Sequence, residues 1–309
     1  MLAFAARRGR WCLVAGLVAG FTLPQLAVAL QPYLPLMIAA LLFLAAFRIG
    51  PDAVWMGLRS DFGVVGMVLI LQLAVPLALL LLAYLAGVLG TTAALAAILV
   101  FSAPSVTGSP NFALLMNLRP ESALRLLMVG TALFPLTVLP TLFLVPGLEA
   151  ESVLIAALRL LAVVSLAGGA AFALRRGRWK ELEKAQEARL DGASAILLGI
   201  VVIGLMSSVG PLLLSDPAEF LLWLALAGGL NFSAQIIAWL VLTRTTPSPD
   251  HAATSIVAGN RNIALFLVAL PPDIATALLS FIGCYQIPMY LTPILFRRIY
   301  SGKEQSFRS

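Results

Sequence analysis

Nearly all of this chain is apolar in runs long enough to cross a bilayer, which leaves few folds open to it. The runs can be read at 11–30, 32–47, 63–88, 91–118, 121–145, 151–174, 192–214, 218–243, 249–270 and 272–296. About 20 apolar residues rising 1.5 Å each cross the hydrocarbon, so these are ten candidate helical spans in 309 residues, with little chain left for a soluble domain. Charged residues make up 11% of the chain and hydrophobic ones 61%, about half the charge of a soluble domain. Unbroken apolar runs exclude an outer-membrane barrel, whose strands would alternate polar and apolar side chains. The two cysteines, Cys12 and Cys284, lie inside apolar runs and read as packing residues, so a secreted disulfide scaffold is excluded as well. The expected fold class is an all-α membrane protein.

The net charge of +6 does not point to nucleic acid, because the basic residues have a topological pattern. With the N-terminus in the cytoplasm, the inside loops and adjoining helix ends hold Arg7, Arg8, Arg10, Arg48, Arg59, Arg119, Arg125, Arg175, Arg176, Arg178, Lys180, Lys184, Arg189, Arg244, Arg297, Arg298, Lys303 and Arg308. The opposite loops, around Gln31, Gly90, Gly147 to Glu151, Ser215 to Glu219 and Pro271 to Asp273, contain no Lys or Arg. Only Arg159 and Arg261 fall within spans. Both termini are therefore expected on the cytoplasmic side of an inner (plasma) membrane. A rival reading makes residues 1–30 a cleaved signal peptide, since RRGR, an apolar run and AVA fit that pattern. Cleavage would leave nine spans and spoil the symmetry that follows.

Five spans precede the boundary at Pro146 to Glu151 and five follow it, giving halves 1–147 and 148–309. An odd number of spans per half inverts one half relative to the other, the architecture of many secondary transporters. The fourth and ninth spans then correspond, and they are the most interrupted. The fourth contains Pro104, Gly108 and Pro110 among Ser105, Thr107 and Ser109. The ninth has Gly259, Asn260, Arg261 and Asn262 at its centre, where a charge is costly unless paired or hydrated. Both are expected to break and cross at mid-membrane, exposing amides at one half-helix end and carbonyls at the other.

With SAPSVTGSPN (102–111), GNRN (259–262) and Gln72 in span 3, the chain resembles the bile acid:sodium symporter family, one of the transporter groups with crossed broken helices. The resemblance implies a panel domain of spans 1, 2, 6 and 7 and a core domain of spans 3–5 and 8–10. It implies alternating-access transport of a small organic anion, bile-acid-like or another carboxylate. By that likeness Thr107, Ser109, Asn111 and Asn262 line the substrate site, beside Asn260 and Arg261, and Gln72 belongs to a sodium site. Amides and hydroxyls near a half-helix N-terminus suit a carboxylate in any case.

The chain departs from the family where sodium would bind. Val257 aligns with a family glutamate, Arg125 and Val129 with hydroxyl residues, and Arg261 with a glutamine that gives oxygen to sodium. Sodium wants oxygen ligands, so the expectation is that the guanidinium groups of Arg125 and Arg261 stand in for the bound cations. For Arg125 the competing reading is a helix-start residue facing the cytoplasm, and for Arg261 a structural residue bonded to carbonyls of span 4.

Arg159 can line a substrate path or snorkel to an interface. His251, the single histidine, reads as a solvated loop residue beside Asp250, although its titration range would permit proton coupling. No Asp or Glu falls at mid-membrane for a carboxylate relay. Asn231, Ser233, Gln235 and Gln286, with Pro288 and Pro293, read as interhelical packing groups, and Trp55, Trp179, Trp223 and Trp239 as interface or packing aromatics. No nucleotide-binding, zinc-protease or catalytic-triad pattern occurs, so no enzyme, organic cofactor or metal site is expected, sodium being the one candidate ion. The expected partners are an organic anion and the lipid bilayer, not nucleic acid, with the chain a monomer or homodimer. Rival readings are a sodium-independent efflux carrier of the auxin-efflux type and a membrane receptor that binds an anion without moving it. An arsenite carrier fits less well, because no cysteine lies between Thr91 and Leu118. A phosphatase reporter fused after residue 309 is expected to be silent and a fluorescent-protein reporter there bright; the opposite pair of signals contradicts the topology.

Overall fold

A computed structural model of the chain describes residues 2, 9–52, 62–176, 179, 182–245 and 250–304. Of the residues named above, Arg7, Arg8, Trp55, Arg59, Arg178, Lys180 and Arg308 fall outside them. The described residues are mostly helical: α1 (Gly9–Thr22), α2 (Pro24–Leu30), α3 (Leu34–Ile49), α4 (Phe62–Leu69), α5 (Val75–Leu85), α6 (Thr92–Ser102), α7 (Ser109–Leu115), α8 (Glu121–Thr137), α9 (Leu139–Leu144) and α10 (Ala150–Arg176). There follow α11 (Lys184–Leu205), α12 (Val209–Ser215), α13 (Pro217–Thr245), α14 (His251–Gly259), α15 (Phe266–Ala269), α16 (Pro272–Leu295) and α17 (Arg297–Glu304). Extended backbone pairs once among them, in an isolated antiparallel bridge between Ser105 and Arg261.

Six helical segments are long and apolar enough to cross a membrane: Pro24–Ile49, Phe62–Leu85, Ala150–Arg176, Lys184–Ser215, Pro217–Thr245 and Pro272–Leu295. The chain is a multi-pass membrane protein. The other four apolar stretches are cut into shorter helices, each at a local breaker. Span 4 breaks after Ser102 and span 9 after Gly259, while α8 and α9 meet at Val138, just before Pro140.

The first cut corrects the sequence reading. A boundary at Gln31 is not found, because Gln31–Tyr33 is a 3-10 turn that carries α2 into α3. The break lies instead at Leu23, held outside the helical region at φ −122° and ψ 66° by the proline that follows. The seventh apolar run, read as starting at 192, lies in a helix that begins earlier, since α11 starts at Lys184. There Glu183 and Gln186 form a capping box, and Glu183 N–H donates to Gln186 Oε1 at 3.0 Å.

The chain divides into two compact units, each drawing on both sides of residue 147: 1–56, 154–223 and 264–284 in one, 57–153, 224–263 and 285–309 in the other. In the first, α1 packs closely on α11. A Cβ at Gly16 would lie 2.5 Å from Gly199 O, so these helices meet backbone to backbone, as small residues allow in membrane bundles. Arg48, ending α3, reaches Glu187 Oε1 at 3.0 Å and Asp191 Oδ1 at 3.1 Å, two carboxylates one helical turn apart on α11. Among the described residues of the second unit, apolar side chains gather in clusters. One holds Phe112, Met116, Trp239, Ile256, Phe296 and Tyr300; another holds Val68, Ala123, Leu126, Val129 and Val257.

Gly16→Leu is expected to lower the melting temperature of the purified protein by several degrees, whereas Gly66→Leu, where open space surrounds the glycine, leaves it in place. Equal midpoints for the two variants would contradict the close α1 to α11 contact.

Candidate functional site

Both broken helices belong to the second unit up to Ile263, and their breaks face each other. Pro104 has no N–H to continue α6 and forces Ala103 into extended backbone, φ −67° and ψ 152°. Opposite, α14 ends at Gly259, and Asn260 leaves the helical region at φ −105° and ψ 89°. The two extended segments then satisfy one another. Val106 N–H donates to Asn260 O at 2.9 Å, and Asn262 N–H donates to Pro104 O at 2.8 Å. Ser105 Oγ donates to Ser109 Oγ at 2.8 Å, joining the crossover to the first residue of α7.

Arg261 sits at this bridge with 1% of its surface exposed. Its guanidinium donates to three main-chain carbonyls: Nε to Ala258 O at 3.2 Å, Nη1 to Ala103 O at 3.2 Å, and Nη2 to Leu71 O at 2.8 Å. Each of these oxygens lacks an ordinary helical donor, for a reason written in the local sequence. The helical donor for Ala258 O would be Asn262 N–H, which is bonded to Pro104 O. Ala103 lies past the end of α6. Leu71 lies in a π-helical turn, Ile70–Ala74, where Val75 N–H reaches Ile70 O. The next residue that could donate to Leu71 O in the π pattern is Pro76, which has no N–H. One buried cation thus closes three orphaned carbonyls from spans 3, 4 and 9.

The last carbonyl of α14, Gly259 O, accepts from Asn231 Nδ2 and from Tyr285 Oη. Gly259 permits this approach: a Cβ there would run into Asn231 O and the Gln235 side chain. Asn260 is held by its side chain too, Oδ1 accepting from Thr292 Oγ1 at 3.1 Å and from Asn231 Nδ2 at 3.3 Å, while its Nδ2 donates to Ile256 O at 2.8 Å. All of these groups are buried, so each bond answers a desolvation cost.

The candidate substrate residues divide into two sets. Ser109, Asn260 and Arg261 are buried and bonded within the crossover. Thr107 and Asn262 are half-buried and Asn111 is exposed, and the side chains of these three make no hydrogen bond to another described residue. Gln72, of the coupling set, is buried and accepts from Thr137 Oγ1 at 3.2 Å; the contribution of this turn to Arg261 is the carbonyl of Leu71 beside it. Arg125 lies apart from Arg261. It pairs with Asp250 Oδ2 at 3.7 Å and donates to Ser122 Oγ at 3.2 Å, at the His251 end of α14, whereas Arg261 follows the Gly259 end. Nine helical residues separate the two ends, about 13 Å.

Val129 and Val257 are packed in one apolar cluster. Arg159 is exposed on α10. His251 is not a solvated loop residue: it opens α14, is buried, and meets Trp239 edge-on with ring centroids 6.4 Å apart. The bond to Ala103 O is the one the competing reading of Arg261 expected, a structural contact with a span 4 carbonyl, whereas Leu71 and Ala258 were missed because main-chain acceptors carry no residue-type signal. Pro76, five residues after Leu71, was the available clue.

No protein-family model and no curated protein matches the chain. Arg261→Met, which keeps the length of the side chain and removes its donors, is expected to destabilise the fold by about 3–5 kcal/mol in chemical or thermal unfolding, and Arg261→Lys by less. A methionine variant as stable as wild type would mean that the three carbonyls do not depend on the guanidinium.

Proposed function

We propose that the chain is a secondary transporter that moves a small organic anion by alternating access, with Arg261 as a permanent substitute for a coupling cation. The observation that carries this reading is the crossover itself, where two broken helices are joined backbone to backbone around a buried guanidinium. Broken helices inside a membrane are tolerated where they are buried in protein or line a cavity, and they are the usual site-forming device of secondary transporters. In this reading the ten apolar stretches form two inverted five-span repeats, spans 4 and 9 cross at mid-membrane, and both termini face the cytoplasm.

The chemistry supports an anion as cargo. The carbonyl ends of broken helices carry partial negative charge, which elsewhere calls for a bound cation. Here a covalently attached cation meets Ala258 O and Ala103 O, and no step of ion binding is needed to complete the crossover. Thr107 and Asn111 follow the break after Ser102 and Asn262 follows Arg261 in the chain, and their hydroxyl and amide groups are of the kind suited to a carboxylate. Arg125 is left out of the charge-substitution role because its guanidinium is engaged with Asp250. The resemblance to the bile acid:sodium symporter family agrees with the cargo class, and the valines at 129 and 257 agree with loss of the sodium ligands.

The test is uptake of labelled taurocholate and labelled lactate by proteoliposomes, with sodium on both sides or replaced by choline. Protein-dependent uptake of either anion at equal rates in the two media is expected. Strict sodium dependence would overturn the role given to Arg261, and binding of an anion without flux would replace the transporter with a receptor.

A further inference from the structure

We infer that Tyr300, in the C-terminal helix α17, is a positioning residue for the crossover, acting through a forked chain of hydrogen bonds that begins at its hydroxyl. Tyr300 Oη donates to Gln235 Oε1 at 3.3 Å. The Gln235 amide then donates along two branches, to Asn231 Oδ1 at 2.7 Å and to Thr292 Oγ1 at 3.0 Å. Asn231 Nδ2 passes the first branch to Gly259 O, and Thr292 Oγ1 passes the second to Asn260 Oδ1 at 3.1 Å. Asn260 Oδ1 is the nearest of three acceptors in reach of the Thr292 hydroxyl, Pro288 O lying at 3.3 Å and Asn231 Oδ1 at 3.5 Å, so along the shortest bonds the donors run from α17 toward the crossover and strengthen one another.

Three features separate this chain from ordinary interhelical bonding, where single polar contacts add small, independent amounts. Its five side chains, Tyr300, Gln235, Asn231, Thr292 and Asn260, are all fully buried, so water does not substitute for a lost member. Both branches end on consecutive residues, Gly259 and Asn260, at the point where α14 stops being a helix. Asn260 then hands the constraint to the other broken helix, since its carbonyl accepts Val106 N–H at 2.9 Å. The Tyr300 ring is fixed by Trp239 and Phe296, with centroids 5.0 and 5.5 Å away, so its hydroxyl has one position to occupy. The inference stands on this geometry and does not depend on the chain carrying an anion.

The test is hydrogen–deuterium exchange of the purified full chain in detergent, read on peptides covering residues 103–109 and 258–263. Tyr300→Phe keeps the ring packing and removes the first donor. Gln235→Met keeps the shape of the side chain and removes both branches. Each is expected to speed exchange of the crossover amides by about threefold or more while peptides from residues 10–22 are unchanged. The double variant should exchange no faster than Gln235→Met alone, because both substitutions cut one chain. Crossover exchange at the wild-type rate in both single variants, or additive effects in the double variant, would overturn the inference and reduce these residues to packing groups.

Discussion

A main-chain carbonyl released by a helix break inside a membrane protein has no water to turn to, and the architecture of this chain around residues 100–110 and 255–265 follows from that constraint. Two breaks release oxygens at Ala103, Pro104, Ala258 and Gly259, and a π-turn backed by Pro76 releases another at Leu71. The donors are of three kinds. Backbone amides of the opposite break serve Pro104 and Asn260. Buried carboxamide and hydroxyl groups serve Gly259 and the Asn260 side chain. The Arg261 guanidinium serves Ala103, Ala258 and Leu71. An arginine is suited to this task because its planar fork presents five N–H groups in fixed directions and keeps its charge.

Placing a formal charge at the junction changes what the site can do. A buried cation is stable only if its field is answered, and three carbonyl dipoles supply part of that answer. Close to the two breaks in sequence, the side chains of Thr107, Asn111 and Asn262 make no hydrogen bond to another described residue. Apolar packing of Val129 and Val257 is consistent with the same arrangement, since an ion held by the chain itself needs no side-chain oxygens nearby. Arg125 illustrates why charge alone is insufficient evidence: it lies on the same unit, yet Asp250 engages it at the other end of α14.

Local signals in the sequence carried the helical membrane class and the positions of the two main breaks. The breaks at Pro104 and Gly259 were readable because proline and a Gly-Asn-Arg-Asn run act on their own backbone, whatever the tertiary setting. The misplaced first boundary shows the limit. Pro24, Pro32 and Pro35 offered similar evidence, yet the helix stops at Leu23 and continues through Gln31. The Glu183 and Gln186 capping box was legible in principle but lay within a stretch dominated by charge. At the site, the residue types Asn231, Gln235 and Arg261 could be seen and their partners could not. Those partners are distant in sequence, Leu71 from Arg261 and Tyr300 from Gln235, and several are backbone oxygens without any identity in the chain.

The central claim is that Arg261 occupies the place of a cation, and the most direct measurement is thermal unfolding of the purified protein titrated with sodium against choline at matched ionic strength. A ion that binds only the folded state raises the midpoint by mass action. The account predicts identical midpoints for the wild-type chain in the two salts and a sodium-specific rise in Arg261→Gln, where the carbonyls of Leu71, Ala103 and Ala258 are left to an added ion. A sodium-specific rise in the wild-type protein would contradict it.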